Sequence, residues 1–161
     1  MHASISDLSI SLSGPIQARY ISQRAQSSTK GGRITLPSRD AHIERADRNA
    51  TFAQSFELET TPYLDWVVTG FFYSALHYID ACLHEHRTKR SPNGYNPTSH
   101  EDRTPLINKL FPSVYPPYRE LKDASEDARY ELKPFTAAEV RELQEQDWQA
   151  VRSFARSRLN L

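Results

Sequence analysis

The stretch from Tyr63 to His86 has no proline and a single glycine, Gly70. Leu64, Val67, Val68, Phe71, Phe72, Ala75, Leu76, Ile79 and Leu83 recur in it at i, i+3, i+4 and i+7, the signature of a helix. At 100° per residue these side chains fill about half the helix circumference, more than a surface helix with one neighbour can bury. The pattern therefore predicts the central helix of a bundle, touched on several sides. The opposite side carries Asp65, Trp66, Thr69, Tyr73, His77, Asp80 and His84. Polar groups mixed with large aromatics in this way predict a second contact surface, for a ligand or another chain.

The remainder is short enough to form one domain around that helix. The chain has 161 residues, with 20 basic and 20 acidic side chains. A balanced charge leaves no overall field to draw in nucleic acid, so any such binding would depend on a local patch. Cys82 is the single cysteine, which excludes an internal disulfide and fits a reducing, cytoplasmic setting. No apolar run approaches the roughly 18 residues of a membrane span.

Residues 1–37 differ in character from the rest of the chain. They are rich in serine, broken by Gly31-Gly32, and Asp7 is their only acid. Apart from a short alternating run at Ile5–Leu12, nothing in them predicts regular structure, and a disordered or weakly structured tail is expected. The domain over 38–161 is expected to be all-α, an up-and-down bundle of four to five helices. Ser38 or Asp40 caps a first helix running to about Glu57, with Ile43, Ala46, Ala50 and Ala53 as a narrow inner face. A polar loop with an Asn93-Gly94 turn comes after the central helix. Pro105 should separate a short turn over 99–103 from a helix over 105–110 capped by Thr104, because proline breaks a helix interior. A fourth helix, from about Ser113 to Leu132, turns Tyr118, Leu121, Ser125, Ala128 and Leu132 inward. Thr136-Ala-Ala-Glu139 is a capping box opening a last helix with Val140, Leu143, Ala150, Val151 and Phe154 on its inner face.

Arg129 falls beside an inward stripe, where a guanidinium must find a carboxylate or remain at a solvated edge. Asp147, in the apolar stripe of the last helix, and Asp65, at the start of the central one, are its candidate partners. A buried Arg–Asp bridge would fix helix register; an open Arg129 would suit phosphate. His77 shares the polar strip with Tyr73, Asp80 and His84. His100 and Arg103 fall on the same side of one helical turn, where an anion or a ribose hydroxyl could be met. Each histidine has an alternative role in packing. Cys82, His84 and His86 do not converge on one helix, so neither a metal nor another cofactor is expected.

Several pieces of the chain resemble the HEPN domain (higher eukaryotes and prokaryotes nucleotide-binding) in its small stand-alone bacterial form. They are Arg48-Asn-Ala-Thr-Phe-Ala53, Tyr63-Leu-Asp-Trp66, Phe72-Tyr-Ser-Ala-Leu-His77, Ser99-His-Glu-Asp-Arg103, Tyr118-Arg-Glu-Leu121 and Asp127-Ala-Arg-Tyr130. Their order and spacing extend over about residues 40–158. The resemblance implies a helical bundle, often a homodimer with a shared cleft. It also implies a relation to ribonucleases and to toxin components paired with small nucleotidyltransferases. The family's active ribonucleases carry an arginine followed four to six residues later by a histidine. Here Arg129 is followed at those positions by Lys133, Pro134 and Phe135, and no other arginine meets the pattern. The resemblance thus implies a non-catalytic module binding a nucleotide, RNA or a partner protein through Arg129, Tyr130, His77, His100, Arg103, Tyr73 and Asp65. The alternative is a metal-independent ribonuclease using His100 with Arg103 or Arg129.

Overall fold

Ser38 accepts a hydrogen bond at its hydroxyl from the Ala41 N–H (3.2 Å) and so caps the first helix, α1 (Arg39–Gln54). The computed structural model describes residues 37–161 apart from Thr88, Arg90 and Leu132. The tail expected before Pro37, and the inward role expected of Leu132, lie outside the described residues. Ala46, Ala50 and Ala53 are the buried residues of α1, and these small side chains let it lie close on the central helix α2 (Leu64–Glu85). The approach is close at Gly70, where an added Cβ would stand 3.0 Å from the Ala53 Cβ and 3.2 Å from the Phe52 ring. Tyr78 of α2 donates its hydroxyl to the Asp47 carboxylate of α1, adding a polar tie to the apolar seam.

From Val67 to Phe72 every residue of α2 is buried, which only a helix covered all round achieves. α1 covers one side, and the fourth and fifth helices cover others. The loop after α2 folds back onto its end. Gly94, at φ +74°, turns the chain where a Cβ would run into the His84 carbonyl, and the Tyr95 N–H then donates to the Leu83 carbonyl (2.9 Å).

Helix α3 (His100–Leu110) corrects one expectation. It is continuous through Pro105, capped by Ser99, whose hydroxyl accepts from the Asp102 N–H (3.1 Å), and Thr104 caps nothing. Proline removes a single bond here, the one its own N–H would have made to the Glu101 carbonyl. Glu101 and Pro105 are both exposed, so water can serve that carbonyl.

Helix α4 (Tyr115–Glu126) opens on Pro116 and Pro117, where missing N–H groups cost nothing, and buries Tyr118, Leu121 and Ser125. It widens into a π turn over Asp127–Glu131, keeping Ala128 inside. The last helix, α5, starts from the expected capping box at Thr136 and runs as Ala137–Glu142, a π turn over Leu143–Trp148, and Gln149–Leu159. The wider turn rotates the helix against regular spacing. Trp148 therefore takes the inward position, its ring 5.1 Å from Phe71 and its N–H donated to Ser74 (3.0 Å). Ala150, expected inside, is exposed; Ala155 and Leu159 join Val140 and Val151 in the core, with Leu143 and Phe154 half-buried. The described residues thus form an all-α bundle of five helices, and none of these is long and apolar enough to cross a membrane.

Candidate functional site

Tyr73, His77 and Asp80 stand at i, i+4 and i+7 on α2 and share one face. The strip expected to face outward is covered in part by the chain itself. Asp80 and Thr69 are 5% and 7% exposed, whereas Trp66 is 57% exposed. Asp80 is covered by Arg103 of α3, which grips it with two hydrogen bonds, Nε to Oδ1 at 2.6 Å and Nη2 to Oδ2 at 3.0 Å. Arg103 also donates to the carbonyls of Ser99 (3.2 Å) and Pro97 (3.3 Å), so its donors are largely spent inside the protein. Burial opposes the Arg103 charge, but the hydrogen bonds and charge of Asp80 outweigh it and hold the guanidinium above its ordinary range. The register-fixing bridge considered for Arg129 is made by this pair, and Arg103 is not an open anion ligand.

Arg129 has a different setting. It lies on the π turn, half-buried, with Nε donating to the Ser125 carbonyl at 2.9 Å. Its Nη1 is 3.3 Å from the Tyr73 hydroxyl and 3.4 Å from the Tyr130 hydroxyl. The guanidinium carbon sits 4.9 Å from the Tyr130 ring centre, 5.7 Å from that of Tyr73 and 6.0 Å from that of Phe72. Rings at these distances favour the cation through their negative faces. Among the described residues Arg129 forms no ion pair with a carboxylate. Both candidate partners fail to reach it. Asp147 is held above the ordinary carboxylate range by burial and then by the charges of Glu120 and Glu142, so its neighbours are acids. Asp65 lies about two turns of α2 from Tyr73, where its carbonyl accepts from Thr69 (2.8 Å).

His100 joins the two arginines. Its ring is 5.6 Å from Phe72, whose other neighbours include Arg129 and Tyr118. Burial, reinforced by the charges of Arg103, Lys122 and Arg129 against the opposing charge of Glu126, lowers its affinity for a proton. The imidazole is therefore neutral at pH 7. Among the described residues its Nδ1 and the Ser125 hydroxyl are buried atoms with no hydrogen-bond partner, while the buried Tyr118 hydroxyl lies beside the Arg103 guanidinium. Buried polar atoms left in this state keep hydrogen-bonding capacity that water or a bound molecule can use.

His77 faces His42 of α1, with their Nδ1 atoms 3.2 Å apart. Sequence reasoning missed His42, although it precedes Ala46 by four residues and so extends the face that α1 presents to α2. The structure also brings Lys122 and Glu126 of α4 into the electrostatic surroundings of His100. Cys82 is fully buried, and burial pushes its thiol up to about 12, in keeping with the expected core role. His100, Arg103, Tyr73, Arg129 and Tyr130 are thus linked through Phe72 and through the charges acting on His100, whereas His77 groups with His42 and Asp80, and Asp65 lies apart. Comparison with protein-family models, with curated proteins and with solved structures finds no match.

Proposed function

We propose that the chain is a HEPN-like, non-catalytic binding module that takes a nucleotide or a short single-stranded RNA at Arg129. The observation that carries this reading is the state of that guanidinium: ringed by Tyr73, Tyr130 and Phe72, yet without a carboxylate among the described residues. An arginine held by neutral groups keeps its charge available to a phosphate. Tyr130, 69% exposed, offers a ring on which a base can stack. His100 and Lys122 add polar and cationic groups close by. Association of two copies through the exposed rings of Trp66, Tyr63 and Phe52 belongs to the same proposal, as does recognition by a nucleotidyltransferase. Sedimentation of Trp66→Glu tests the dimer and should give a monomer of unchanged helicity.

Thermal shift with mono- and dinucleotides, and titration with labelled oligoribonucleotides, test the module. Binding that weakens with salt and is lost in Arg129→Ala supports it, and absence of binding at low salt overturns it. The second reading, a metal-independent ribonuclease, draws on the neutral His100 beside Arg129. It requires RNA cleavage in EDTA that disappears in His100→Ala; intact RNA at high protein concentration removes it.

A further inference from the structure

We propose that His42, His77 and Asp80 form a site for one borderline divalent cation, with Zn²⁺ as the first choice. This inference is independent of the nucleotide reading. The three residues come from two helices that the Gly70–Ala53 contact holds close together, and each offers one ligand atom within 4.8 Å of the others. The two imidazole Nδ1 atoms stand 3.2 Å apart. Two nitrogens bound at ordinary zinc distances to one tetrahedral ion stand about 3.3 Å apart, so these rings already have a chelating separation. The Asp80 carboxylate, with an oxygen no more than 4.8 Å from a ligand atom of either ring, would complete a three-ligand face.

Asp80 brings a second feature of built metal sites. Both its oxygens accept hydrogen bonds from Arg103, which fixes the plane of the carboxylate and leaves each oxygen a further lone pair. The same contact sets the strength of the site. Arg103 cancels the charge of Asp80, so the ion gains less than at an unpaired carboxylate, and binding is weaker than in a closed structural zinc site. Two imidazoles and one oxygen suit Zn²⁺, Co²⁺ or Ni²⁺ better than Mg²⁺ or Ca²⁺, which take oxygen. His42 and His77 are half-buried, so water can supply the remaining ligand.

The test uses the full chain, stripped with EDTA and titrated with ZnCl₂ by calorimetry and with CoCl₂ by visible absorption. The expected result is one ion per chain, d–d bands of a four- or five-coordinate Co²⁺ centre, and a raised melting temperature. His42→Gln and His77→Gln, checked for helicity, should each weaken binding by about a hundredfold or more, because each removes a direct ligand. Cys82→Ser and His86→Ala should bind as the parent does. No uptake would overturn the proposal and leave the two rings as a hydrogen-bonded pair. Uptake unchanged in both glutamine variants would overturn it equally, by assigning the ion to other residues.

Discussion

The charges of Arg103 and Arg129 both act on His100, and the fold uses the two arginines in opposite ways. Arg103 is buried against Asp80 and has its donors satisfied by one carboxylate and two carbonyls. Arg129 is half-buried, touches three aromatic rings and one carbonyl, and has no acid beside it among the described residues. A charge on an inner helix face can thus serve structure or remain available, and its partner decides which. A buried pair is costly to break because the survivor cannot regain water. A cation held by rings and hydroxyls gives up little when removed.

The largest effect should come from breaking the buried pair. Arg103→Ala leaves Asp80 alone in the interior and should cost about 3–5 kcal/mol, read from urea denaturation. Replacing both partners together, as Asp80→Leu with Arg103→Met, should recover most of that loss; if it does not, the penalty was not one of stranded charge. Arg129→Ala should cost about 1 kcal/mol, the contribution of a partly exposed cation over aromatic rings, while abolishing nucleotide binding. A penalty as large as that of Arg103→Ala would erase the contrast and make both arginines structural.

A pH series probes the same pair of arginines, since both suppress protonation of His100. Its folded-state proton affinity lies below the ordinary value of 6.5, so on acidification the unfolded chain takes up the proton first. Stability present above that value is therefore lost as pH falls through the window beneath it. The melting temperature should drop as pH falls below about 6.5, and His100→Gln should flatten part of that slope. A residual slope is expected from His86, whose proton affinity is lowered by burial and by the charge of Arg158. The smallest effect on stability should be that of Tyr130→Ala, within about 0.5 kcal/mol because the ring is exposed. The same change should weaken ligand binding by about 1–3 kcal/mol if a base stacks there.

The bundle was legible because apolar spacing and caps are local signals. The half-apolar stretch of α2, the Ser38 cap and the Thr136–Glu139 box all appear where the sequence puts them. The pairing of the candidate residues was not legible. Arg103, Arg129, Tyr73, His77 and His100 could be picked out one at a time, whereas which arginine meets which aspartate depends on helix phase. Two π turns among the described residues alter that phase: one carries Arg129, and the other turns Trp148 inward in place of Asp147. Wheels drawn with regular spacing cannot register either turn. The run through Pro105 was misread for another reason, since the residue that proline deprives of a bond faces water.

The most direct test is a titration of a labelled oligoribonucleotide into the parent protein and into Arg129→Ala at low salt, with folding of both verified by urea denaturation. Salt-sensitive binding to the parent, none to the variant, and nearly equal stability are expected. Equal binding by both proteins, or a variant that fails to bind only because it has unfolded, would contradict a phosphate-binding role for Arg129.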